Sequence, residues 1–137
     1  MTERQSAGPP HGAHPRVLLA GAVESLGHDV VVDWCARLVL GQERPGDPDL
    51  AWLGGTEDWA PYWRRVWGAR GLLYVWDDDA LEAVAAALGD AHWRVREMGL
   101  KVVRAHELTA LSGEAADLRD DENARVRAAA GRALKAR

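Results

Sequence analysis

The residues able to do chemistry are few and scattered. Cys35 is the one cysteine, so no internal disulfide framework and no cysteine-based zinc site is expected. His28 stands seven residues before it, on a similar helical face. A thiol–imidazole nucleophile pair also needs a third, orienting group and a cleft, and the sequence specifies neither. Cys35 is therefore expected to be a buried structural thiol. His11 and His14 form an HxxH among glycine and proline, where it is a weak metal signal. His92 and His106 fall near predicted helix ends, where a capping or dipole role accounts for them. Asp77, Asp78 and Asp79 offer three carboxylates to a cation, but they stand directly before LEAVAAAL. Carboxylates there accept the free N–H groups of a helix start, and capping is the expected role. No glycine-rich phosphate loop, HExxH or GxSxG occurs. The expectation is a protein with no catalytic activity of its own, no metal site and no cofactor.

Residues suited to binding are more numerous. There are seven tryptophans and no phenylalanine, and arginine outnumbers lysine 15 to 2. GC-rich coding, as in many bacteria, accounts for much of the arginine. Charge is uneven: residues 1–90 carry a net −7 and residues 91–137 a net +3, within a total of −4. That balance disfavours a generic nucleic-acid binder but leaves room for a basic face in the last third.

The elements that must hold these groups are read from punctuation and period. A chain of 137 residues, 47% apolar and 28% charged, suits one soluble domain that needs no covalent staple. No apolar run approaches the ~20 residues that span a bilayer, so no membrane partner is expected. Residues 1–15 hold three prolines and lack the apolar core of a secretory signal, so they read as a disordered tail. Residues 16–137 read as a single domain, in a reduced cytoplasmic setting. Helices are predicted over Val17–Ser25, over Val30–Leu40 with Asp29 as cap, and from Trp59 to about Tyr74. Others follow after Asp79, at about His92–Ala105, Leu108–Leu118 and Asn123–Ala136. Between them, GQERPGDPD is a linker and Leu50–Leu53 a single helical turn. Alternating β-branched runs are missing, so the chain is predicted to be all-α.

A repeat organises these helices. The frame Arg-x-x-small-x-x-x-aliphatic occurs at Arg65–Gly68–Leu72, Arg96–Gly99–Val103 and Arg127–Ala130–Leu134, spaced 31 residues apart. A weaker copy, Asp33–Ala36–Leu40, precedes them. Positions −1, +2, +3, +6 and +7 around the arginine share one helical face, and the small residue at +3 admits a neighbouring helix. Asp90 and Asp121 stand six residues before Arg96 and Arg127, in the turn between two antiparallel helices. Each arginine can pair with its own aspartate or with that of the next repeat, making a ladder.

LRDDENARVRAAAGRAL resembles a HEAT repeat, closest to the phycobilisome-lyase-type HEAT-like subgroup, and LGDAHWRVREMGLKVV is a second match. The resemblance is strong over residues 78–137 and thin over 16–75. It implies a short right-handed α-solenoid of about four helix pairs, the first two irregular, used mainly to bind proteins. It carries over no bilin-specific residue. In such stacks the second helices line the concave surface. On that surface the frame places Trp34, Tyr62, Trp63 and Trp93, with a basic stripe of Arg70, Arg94, Lys101, Arg104, Arg125 and Arg132. The aromatics are candidate anchors for a partner. The alternative is that tail, linker or irregular packing covers them. For the stripe the favoured reading is a solvated helix flank with intrahelical pairs such as Glu97–Lys101, and a basic binding face is the other.

The function expected is a small interaction module or scaffold that binds a protein or acidic peptide on the face of the second helices. A nucleic-acid binder is the rival, disfavoured by charge and lacking the catalytic residues of the HEAT-like DNA glycosylases. An enzyme or enzyme accessory subunit is the third reading. Monomer and homodimer are both compatible with the sequence.

Overall fold

The computed structural model describes residues 12–135, and most of the segment read as a tail, residues 1–11, lies outside them. Among the described residues there are seven α-helices and no strand. Helix α1 (Pro15–Leu26) starts inside the expected tail, because Pro15 occupies the first turn and the His14 ring accepts the Arg16 N–H at 3.0 Å. Gly27, at φ 97°, separates it from α2 (His28–Leu40). Asp29 therefore lies in the first turn of α2 rather than at its cap. Gly41, in the left-handed region, ends α2 by donating its N–H to the last-turn carbonyls.

Leu50–Leu53 forms a 3-10 turn. Helix α3 (Tyr62–Gly71) begins only after Pro61, later than expected. Asp77 accepts the Asp79 N–H at 2.8 Å and starts the 3-10 turn that leads into α4 (Leu81–Leu88). Helix α5 (Trp93–His106) is capped by His92. The segment predicted as one helix over Leu108–Leu118 is instead a 3-10 turn, a short α6 (Ser112–Asp117) and a second 3-10 turn. Asn123 caps α7 (Ala124–Ala133) with bonds to the N–H groups of Arg125 and Val126.

The second helices pack in series, α2 on α3, α3 on α5 and α5 on α7. Behind them, α1 packs on α2 and on the Leu50–Leu53 turn, α4 on α5 and α2, and α6 on α7. The repeated apolar positions form the core: Val95, Val102 and Val103 on α5 and Val126, Ala129 and Ala130 on α7 are all buried. Close helix approach requires the small residue of the frame. A Cβ at Gly68 would lie 2.7 Å from the Cys35 carbonyl oxygen, and one at Gly99 would lie 3.0 Å from the Ala87 Cβ.

The turn aspartates and the frame arginines share two recurring contacts, and Arg96 makes both. Arg65 Nε donates to Asp90 at 2.7 Å, and Arg96 Nε lies 2.9 Å from Asp121, each arginine reaching 25 residues forward. Arg96 Nη1 donates to the Asp90 carbonyl and Arg127 Nη1 to the Asp121 carbonyl, both at 2.8 Å and both reaching six residues back. The two carboxylates also cap their own turns through the N–H groups of His92 and Asn123. In the first copy Asp33 replaces the arginine, and Arg37 takes over. It holds Asp47 through two bonds of 2.9 Å and Asp33 through one of 2.8 Å.

Candidate interaction surface

Side by side, α3, α5 and α7 carry one row of side chains near their N-terminal ends, and α5 and α7 carry a second about two turns further along. The first row alternates aromatic rings and guanidinium groups. Arg94 lies 5.3 Å from the Trp63 ring and 4.4 Å from the Trp93 ring. Arg125 follows 5.2 Å from the other side of the series, over Trp93. Trp63, Arg94, Trp93 and Arg125 thus run across three helices, each stacked on the next. Trp59 extends the row at its α3 end, 5.2 Å from Trp63, and is 55% exposed.

Two further contacts position this row. Tyr62 stacks on His92 at 3.6 Å with an interplanar angle of 11°. His92 Nδ1 accepts the Arg94 N–H at 3.1 Å, so the neutral imidazole fixes the first turn of α5. Burial, then the charge on Arg94, lowers the His92 pKa and favours that neutral form. Glu97, a buried carboxylate, accepts from Arg125 at 3.1 Å. The expected Glu97–Lys101 pair does not form, because Glu97 spends its charge across the helix interface instead.

The second row is a groove of about 530 Å³ between α5 and α7. Lys101 and Arg104 stand on the α5 wall, Arg132 and Lys135 on the α7 side, and Leu100 and Ala129 lie between them. Among the described residues, no carboxylate lines it. Among the described residues Lys101 and Arg132 make no ion pair.

Two candidates from the sequence lie elsewhere. Trp34 is not a surface anchor: it is 1% exposed, beside Pro48 and Leu50, under the loop that Arg37 clamps through Asp47. The helical wheel placed it on the polar side because it knew nothing of that loop. The sequence signal was Arg37 followed ten residues later by Asp47. Arg70 is turned inward: it donates to the Leu53 carbonyl at 2.6 Å, and burial lowers its pKa. It fastens the 3-10 turn to α3 and stands apart from the groove. Sequence reasoning left Trp59 and His92 out of the partner face, although the i, i+4 spacing of Trp59 and Trp63 was the available sign for the first.

The remaining reactive groups are dispersed. Cys35 is fully buried and its thiol is pushed up to about 12, while His28 is exposed and bonded to Asp29. His106 bonds the Leu72 carbonyl at 2.7 Å and stacks on Trp76, tying the ends of α5 and α3 together. No described helix is long and apolar enough to cross a membrane. Compared with protein-family models, with curated proteins and with solved structures, the chain matches none.

Proposed function

We propose that this chain is a small interaction module without catalytic activity, built of HEAT-like helix pairs, that holds a protein or peptide against α3, α5 and α7. The observation that carries the reading is the aromatic–guanidinium row lying beside a groove whose described polar lining is cationic. Partly buried tryptophan and arginine are the side chains that most often dominate binding energy at interfaces. Here they are pre-ordered by stacking, which lowers the entropy lost when a partner docks. The repeated Arg65–Asp90 and Arg96–Asp121 links support the solenoid reading, since they tie each repeat to the next.

The test is selection of peptides from a displayed library against the full chain, followed by affinity measurement on Trp59→Ser and Trp93→Leu variants. Thermal melts confirm that both variants fold. Affinity is expected to fall by roughly tenfold or more in at least one of them. A Val17→Ser control, at an exposed position on α1, is expected to bind normally. Selected peptides that ignore both tryptophan substitutions would remove the reading.

A further inference from the structure

We infer that the groove between α5 and α7 takes an acidic linear segment of a protein partner, with carboxylates on both sides of one aliphatic side chain. This rests on the interaction-module reading and names the chemistry of its occupant. Each wall carries cations one turn apart, Lys101 and Arg104 on α5 and Arg132 and Lys135 at the end of α7. Leu100 and Ala129 lie buried beneath the groove, and the exposed Ala105 adds apolar surface beside the cations. A groove with cations on both walls and carbon at its base is complementary to a carboxylate–aliphatic–carboxylate pattern.

Helix electrostatics explains only part of this arrangement. Arg104 and Arg132 stand in the last turns of α5 and α7, where a cation offsets the helix dipole. Lys101 stands before the last turn of α5, and its obvious intrahelical partner, Glu97, is bonded to Arg125. Lys101 thus has no structural partner that accounts for it, and it lines the same groove as Arg132.

A peptide fits better than a nucleic-acid backbone for two reasons. Single strands bind by stacking bases on open aromatic faces. Here the ring of Trp93 carries two guanidinium groups, and Tyr62 is stacked on His92. The net −7 over residues 1–90 also repels a long polyanion more than a short segment with a few charges.

The experiment uses the full chain and three fluorescein-labelled probes. One is a short peptide with a central leucine flanked by glutamates, the second has glutamines in their place, and the third is single-stranded DNA of matching length. Anisotropy is read at ~50 mM salt, for the unmodified chain and for Lys101→Glu/Arg132→Glu, with Lys101→Gln/Arg132→Gln as a milder pair. The glutamate peptide is expected to bind about tenfold tighter than the glutamine peptide, and to lose that margin in both double variants. Equal binding of the two peptides, or glutamate binding indifferent to the substitutions, overturns the inference. DNA that binds more tightly than the glutamate peptide and is released by the same substitutions also overturns it, in favour of nucleic acid. Failure here while Trp59→Ser or Trp93→Leu still weakens library-selected peptides removes the acidic occupant but leaves the interaction face. Failure of both removes the module.

Discussion

Arg96→Leu is the substitution that most sharply tests the repeat ladder. The Arg96 side chain is 11% exposed and its partner Asp121 9%. Its guanidinium holds two turns at once: it donates to the Asp90 carbonyl at 2.8 Å and the Ala91 carbonyl at 3.1 Å, and meets Asp121 at 2.9 and 3.2 Å. Leucine would leave the Asp121 carboxylate buried with the Asn123 N–H as its remaining hydrogen-bond donor, at 2.9 Å, and would strand two carbonyls. Deleting one partner of a buried ion pair costs about 3–5 kcal/mol. The equivalent arginine one repeat later gives the comparison. Arg127 is exposed and makes one bond, to the Asp121 carbonyl at 2.8 Å, so Arg127→Leu is expected to cost about 1 kcal/mol. Arg65, whose side chain is 30% exposed, bonds only Asp90 and belongs between them at about 2 kcal/mol. Urea unfolding followed by tryptophan fluorescence measures all three. With a slope of about 1.5–2 kcal/mol per molar, Arg96→Leu lowers the midpoint by ~2 M and Arg127→Leu by ~0.5 M, at unchanged slope. Adding Asp121→Asn to Arg96→Leu is expected to recover part of the loss, because the stranded charge is gone while the turn keeps an acceptor. Equal midpoints for Arg96→Leu and Arg127→Leu would refute the ladder as the element that joins repeats.

Two further outcomes test packing and capping. Gly68→Ala is expected to destabilise by about 1–3 kcal/mol, because its Cβ would meet the α2 backbone at 2.7 Å. Gly131→Ala, in open space on α7, is expected to stabilise by about 0.5–1 kcal/mol, and thermal melts separate the two signs. His92 has a lower pKa in the folded chain than its ordinary 6.5, so the unfolded chain binds the extra proton first. Its contribution to stability is complete above about 6.5 and is lost as pH falls through the lower folded value. His92→Asn keeps a capping acceptor and is expected to flatten the stability profile in that window, read as urea midpoints across the pH range.

The sequence alone determined what is local and repeated. The all-α class, the buried positions around Arg96 and Arg127, the close approach at Gly68 and Gly99, and the aspartates in the turns all follow from a period of 31 residues and the 3.6-residue turn. Such signals survive without knowledge of neighbours because each copy states them again. Tertiary structure decided the rest. It covered Trp34 with a loop held by Arg37 and Asp47, turned Arg70 onto the Leu53 carbonyl, and gave Glu97 to Arg125 instead of Lys101. It also broke the segment after Glu107 into short turns and brought Lys101 and Arg132 to one groove. A helical wheel records one helix against an average environment. Long cationic side chains and irregular loops choose among partners brought together only by the packing of several helices, and that choice sets which rings and charges face outward.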